Sequence, residues 1–145
     1  MTGWRCAAIV GHAEAIAHYW RLKSYVDSGL FDAVQLAGAV ALGPELDAAV
    51  RDMNAVYRRR RDLVCEALAE AGVRVTPPKG TIYVWAPVPA GFPTAAAYCE
   101  HVLEHAAVVV SPGGAFGPSG EGFFRISLST PDERLVEAVE RLRRL

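Results

Sequence analysis

The chain has 145 residues, 52% of them hydrophobic, which is enough for one medium domain with a buried core and too apolar for a disordered segment. Lys plus Arg number 15 against 16 Asp plus Glu, so there is neither a basic excess for nucleic acid nor an acidic excess for a basic partner, and the expected partner is a small molecule. Cys6, Cys65 and Cys99 are widely spaced without a C-x-x-C pair, no apolar run approaches the length of a bilayer span, and no signal-peptide layout opens the chain. The expectation is a reducing, cytoplasmic setting with no disulfide framework, zinc knuckle or membrane contact.

Met1 to Gly11 gathers Trp4, Cys6, Ala7, Ala8, Ile9 and Val10 between Gly3 and Gly11, a pattern that predicts a buried strand. A central strand needs neighbours on both sides, so this opening reads as the inside of a larger protein. From His12 to Asp27, Ala13, Ile16, Ala17 and Trp20 recur at helical spacing, and Asp27-Ser28-Gly29 closes the helix in a turn. Phe31 to Leu42 is a second, shorter helix. Pro44 then opens the longest periodic stretch, in which Leu46, Val50, Met53, Tyr57, Val64, Leu68 and Ala71 share a face over about 28 residues, roughly 42 Å at the helical rise, before Gly72 stops it. Arg58 to Arg61 lie on this helix and spread around its circumference, so they predict a solvated face with local ion pairs and not a nucleic-acid stripe.

Val73 to Thr76 and Gly80 to Ala86 read as two strands around Pro77-Pro78-Lys79-Gly80. A helix from about Thr94 to His105, burying Tyr98, Cys99, Val102 and Leu103, leads into a strand at Val108 to Val110. That run stops at Ser111-Pro112 and gives way to Gly113, Gly114, Gly117, Gly120 and Gly122, glycines that permit positive φ and close backbone approach. The strand Phe123 to Ser129 follows, with Phe124, Ile126 and Leu128 on one face and Phe123, Arg125, Ser127 and Ser129 on the other. A guanidinium on a rigid strand beside a glycine loop is suited to grip a carboxylate with two N–H bonds; the plain alternative is a half-exposed strand arginine. Thr130-Pro131-Asp132-Glu133 combines an N-cap, a proline at the first helical position and a capping-box glutamate, and so predicts a last helix carrying Leu135, Val139 and Leu142.

His101-Val102-Leu103-Glu104-His105 matches the H-x-x-E-H pattern of inverted zinc peptidases. The expected buried side of that helix leaves His101, Glu104 and His105 outside, with only generic glutamates for a third ligand, so both histidines read as surface residues and no metal is expected. Cys65 and Cys99 have no histidine partner that would make either a thiol nucleophile.

Thr2-Gly3-Trp4-Arg5, then Tyr57 with Arg60-Arg61-Asp62, then Pro78-Lys79-Gly80-Thr81-Ile82-Tyr83-Val84-Trp85, then Ser111-Pro112-Gly113-Gly114-Ala115-Phe116-Gly117 and Phe124-Arg125-Ile126-Ser127 form an ordered series over essentially the whole chain. The series resembles the C-terminal part of the fold-type I, pyridoxal-phosphate-dependent aminotransferases of class I/II. The stretch Asp27-Ser28-Gly29-Leu30-Phe31-Asp32-Ala33-Val34-Gln35 is most similar to the branch containing the LL-diaminopimelate aminotransferases. The resemblance implies an α/β chain made of the end of the large cofactor domain (residues 1–43), then a connecting helix and a small C-terminal domain with a mostly antiparallel sheet (residues 44–145). It implies that Arg5 holds the phosphate of pyridoxal 5'-phosphate, that Arg125 binds the substrate α-carboxylate, and that an amino acid and a 2-oxo acid are the substrates of a homodimer. It places the Schiff-base lysine upstream of Met1, with neither Lys23 nor Lys79 at its position. No catalytic residue is therefore assigned, and the chain is expected to be a fragment inactive alone, from a truncated gene or a misplaced start. The rival expectation is a non-enzymatic remnant or a carboxylate-binding or interaction module.

Overall fold

The computed structural model describes residues 2–145, which divide into two compact units, one ending at Arg51 and the other spanning Asp52–Leu145. The boundary falls within the long helix.

The first unit holds helices α1 (Ala13–Val26) and α2 (Asp32–Ala41), a 3-10 turn at Pro44–Leu46 and the start of α3 (Asp47–Glu70). The Asp27 carboxylate ends α1 by pairing with Lys23 and accepting the Gly29 amide at 2.9 Å, and Gly29 makes the turn at φ +135°. No residue of α1 or α2 is buried, and Trp20 and Leu36 are 67% and 69% exposed. The strand expected at residues 4–10 is not formed: residues 5–12 are irregular and exposed. A strand exists by exchanging backbone hydrogen bonds with a neighbour, and among the described residues this unit contains no strand to pair with.

The second unit is a three-stranded antiparallel sheet in the order β1 (Tyr83–Pro87), β3 (Phe123–Ser127), β2 (Ser111–Pro112), with helices on one face. This is the α/β class expected, with a small antiparallel sheet and a long helix ahead of it. Period-two alternation sends Val84, Ala86, Phe124 and Ile126 into the core, where Val64 and Leu68 of α3, Tyr98 and Val102 of α4 (Ala95–Ala106), and Leu135, Val139 and Leu142 of α5 (Asp132–Leu142) meet them. The opposite face carries Tyr83, Trp85 and Arg125, with Trp85 directly opposite Arg125. Ser111 is opposite Arg125 on its other side.

Several sequence expectations are displaced here. Of the long apolar stripe only Val64 and Leu68 are buried, with Cys65 and Ala67 beside them, while Val50 and Met53 are 42% and 40% exposed, because the core touches α3 only from Tyr57 onward. Residues 73–76 are not a strand: the Val73 amide donates to the Leu68 carbonyl at 2.7 Å across Gly72 at φ +81°, a Schellman-type end to α3 that seats Val73 in the core. The three valines are not a strand either; pairing begins at Ser111, and Val109 is 82% exposed. In α4, Thr94 Oγ1 caps the helix by accepting the Ala97 amide, and Leu103, expected inside, is half exposed while Ala106 is buried. Thr130 does not cap α5, which begins at Asp132 after Pro131 without a side-chain cap. The Asp132 carboxylate instead accepts from Arg59 Nη2 at 2.7 Å and Arg60 Nε at 2.5 Å. The arginine run on α3 is thus a set of long-range ties: Arg60 Nη1 also reaches the Leu128 carbonyl and Arg61 Nη1 the Pro78 carbonyl.

Candidate functional site

The face of the sheet turned away from the core is built from β1, β3 and the glycine loop between β2 and β3. The loop folds into two 3-10 turns, Gly113–Phe116 and Pro118–Gly120, joined by Gly117 at φ +122°. Gly113 and Gly120 are both buried and pass back to back; a Cβ on Gly120 would stand 2.2 Å from the Gly113 carbonyl oxygen. Glu121 anchors the far end, its Oε1 accepting the Ala95 amide in the first turn of α4 at 2.7 Å. A carboxylate there also meets the positive end of that helix. Loop and helix are therefore fixed to one another, which holds Phe116 over the sheet.

Phe116 lies against Arg125. The Arg125 guanidinium carbon is 4.1 Å from the Phe116 ring centroid and 4.1 Å from that of Tyr83, close enough for cation–π attraction to both. Trp85 meets Phe116 edge-on at 5.8 Å and stacks on Phe123 at 6.0 Å. Arg125 is half-buried and, among the described residues, its guanidinium takes part in no hydrogen bond or ion pair; Arg21, Arg51, Arg58, Arg74 and Arg144 also lack an ion pair but are exposed, whereas Arg59, Arg60, Arg61, Arg134, Arg141 and Arg143 each have a carboxylate. A guanidinium partly withdrawn from water and left without a counter-ion is poised for an anion, and its in-plane N–H fork matches the two oxygens of a carboxylate.

Arg5 sits in the other unit. It is exposed, has a left-handed backbone at φ +56° just after Gly3 at φ +94°, and among the described residues makes no ion pair. Its donor fork is chemically suited to a phosphate. Of the lysines weighed, Lys23 is paired with Asp27 and Lys79 is exposed on the turn before β1.

The remaining candidates resolve into structure. His101 and His105 have ring centroids 4.1 Å apart, but His101 leans on Phe92 and the His105 ring contacts the His101 carbonyl. No cluster of three metal-ligating side chains occurs among the described residues. Cys65 and Cys99 are buried, and burial pushes both thiols up from their ordinary pKa, away from thiolate character. The partners the sequence did not reveal are Tyr83 and Phe116. Alternation along β1 placed Tyr83 beside Trp85, and an aromatic residue among glycines was the only mark of Phe116.

The second unit is thus an α/β fold whose small antiparallel sheet presents an arginine without an ion pair among the described residues, lying against two rings, beside a glycine loop. The sequence profile described as aminotransferase class I and II matches residues 1–142, and the chain belongs to that family, whose members depend on pyridoxal 5'-phosphate. Among curated relatives, an LL-diaminopimelate aminotransferase of Desulforudis audaxviator is 51% identical over 143 residues, covering 99% of this chain and 36% of the relative. Another, from Moorella thermoacetica, is 48% identical over 146 residues, covering all of this chain and 37% of the relative. The chain thus spans little more than a third of their length. Among solved structures, an aromatic aminotransferase from Pyrococcus horikoshii superposes with a TM-score of 0.84 at 36% identity, over 99% of this chain and 39% of that one. A probable N-succinyldiaminopimelate aminotransferase from Thermus thermophilus gives 0.75 at 36% identity, over 93% and 36%.

Proposed function

We propose that this chain is the substrate-closing C-terminal portion of a pyridoxal-phosphate-dependent, homodimeric aminotransferase that takes its amino group from LL-diaminopimelate and gives it to a 2-oxo acid. The observation that carries the reading is Arg125: half-buried, without a counter-ion among the described residues, and held at 4.1 Å by Tyr83 and by Phe116. The printed activity of the relatives at 51% and 48% identity supports the choice of donor. In this role Arg125 receives the α-carboxylate on its N–H edge and so fixes the orientation of the α-carbon, while Arg5 holds the cofactor phosphate. Pyridoxal phosphate, when bound, supplies the electron sink that makes an α-proton of an amino acid removable. Residues up to 43 contribute to the cofactor domain and those from 44 onward to the connecting helix and the domain that covers the substrate.

Residues 1–145 by themselves bind carboxylates without turning them over in this reading, since Lys23 is occupied by Asp27 and neither it nor Lys79 stands where the family places its covalent lysine. Two measurements test the proposal. The isolated chain mixed with pyridoxal phosphate and borohydride should show no stoichiometric labelling of one lysine. The protein carrying this chain behind the remainder of the family's length should transfer an amino group from LL-diaminopimelate in preference to other amino acids. Specific labelling of Lys23 or Lys79 together with transamination by the isolated chain, or a folded, cofactor-loaded longer protein inert toward every amino acid, contradicts it.

A further inference from the structure

The aromatic rings against Arg125 have no assigned task, and they differ from ordinary core residues. Phe116 is 51% exposed and comes from a loop, yet that loop is held by close backbone contacts. Gly113 and Gly120 leave no room for a side chain, Glu121 ties the loop to the first turn of α4, and the edge of Trp85 backs Phe116 from the sheet. That investment of close contacts delivers one exposed ring to one guanidinium. Tyr83, in β1 opposite Ser127, brings a second ring to the same distance.

We propose that Tyr83 and Phe116 are positioning residues that form an aromatic clamp on Arg125, occupying the faces of its guanidinium and leaving the in-plane N–H edge as the approach for a carboxylate. The inference rests on the reading of Arg125 as the carboxylate grip and adds how that grip is aimed. A free arginine side chain explores many rotamers and loses that freedom when it binds. Rings against the π-surface restrict it in advance without using any of its N–H donors, which an acidic partner would consume. Arg125 is thus held on the sheet by ring contacts, whereas Arg59 and Arg60 on α3 are held by Asp132. The clamp acts on binding of the carboxylate, so its loss should weaken affinity and leave the later chemistry unchanged.

The test uses the cofactor-loaded enzyme that carries this chain, with Phe116→Leu, Tyr83→Leu, the conservative Phe116→Tyr and Tyr83→Phe, and Arg125→Ala as reference. Two readouts are taken: KM and kcat with LL-diaminopimelate, and the calorimetric affinity for pimelate, which keeps both carboxylates of that substrate and neither amine. The clamp predicts that each leucine variant raises KM and weakens pimelate about 3- to 30-fold with kcat little changed, and that the tyrosine and phenylalanine variants stay near the parent. Phe116 is half exposed, so its leucine variant should keep the parent melting temperature; should it unfold, Tyr83→Leu reads the same quantity. If Arg125→Ala weakens pimelate and the leucine variants do not, the clamp is wrong and the grip stands. If Arg125→Ala itself leaves pimelate binding intact, the underlying reading fails. Loss of kcat without loss of affinity, or loss equal in the leucine and conservative variants, also overturns the clamp.

Discussion

Gly113 and Gly120 lie so close that a Cβ built on Gly113 would stand 2.1 Å from the Gly120 carbonyl oxygen and 2.7 Å from that of Phe123. Backbone on both sides cannot yield as a flexible side chain would, so Gly113→Ala or Gly120→Ala must shift the loop, at a cost of about 1–3 kcal/mol or more. Gly80 is the matched control: a Cβ there meets nothing within 4 Å, and its φ is not in the left-handed region. Gly80→Ala should be neutral or slightly stabilising. Denaturant unfolding followed by near-ultraviolet circular dichroism of Trp85 and its neighbours compares the three.

The bond from Arg60 to Asp132 joins residues 72 apart in sequence, and with Arg59 it holds the Asp132 carboxyl below its usual pKa. Because the folded-state pKa is the depressed one, this stabilisation is complete above the unfolded value near 3.9 and is lost as pH falls through the folded value. The protection of the Leu128 amide, whose N–H is bonded to Ile82, measured as the exchange rate relative to the intrinsic rate at each pH, should therefore fall below about pH 4 in the parent chain. Asp132→Asn should be less protected at neutral pH and lose less protection on acidification. Identical pH profiles in the two proteins would mean that the Arg59 and Arg60 contacts contribute nothing to holding β3.

On α4, Val102 is fully buried and the adjacent Leu103 is 50% exposed. Val102→Ala should cost about 2 kcal/mol through lost packing and the space left behind, and Leu103→Ala no more than about 0.5 kcal/mol. Thermal unfolding of both variants checks the orientation of the helix; equal losses would restore the face expected from sequence.

How legible the chain was depended on how local each signal is. Alternation along Phe123 to Leu128 set both faces of β3, and the outward position of Arg125 followed directly, because a strand's period involves only its own residues. The strand expected near Val10 failed because it requires a pairing partner, and apolar content says nothing about whether one is present. Thr130 failed as a cap because α5 starts one residue later, its first bond running from the Leu135 amide to the Pro131 carbonyl. Val73 looked like strand but its amide closes the end of α3. The Arg125 site was half legible in the same sense. Its guanidinium and its glycine loop could be read, but Tyr83 and Phe116 reach it only through strand register and loop packing. The ordered motif series carried the family; Arg5 could be located by it, while the structure adds only its exposed position on a left-handed turn.

The central claim, that Arg125 grips the substrate carboxylate, is tested most directly by Arg125→Lys and Arg125→Ala in the cofactor-loaded enzyme, comparing amino acids with simple amines. Lysine keeps the charge but loses the paired geometry, and alanine loses both. A charge-assisted pair removed from a closed site costs on the order of 2 to 4 kcal/mol, so kcat/KM for amino acids should fall about thirty- to thousand-fold, further for alanine than for lysine. Amines, which present no carboxylate, should lose much less, and thermal stability should hold because Arg125 faces away from Phe124, Ile126 and Leu128. Equal losses for amines and amino acids, or a drop in stability large enough to account for the lost activity, would show that Arg125 is structural and that the carboxylate is held elsewhere.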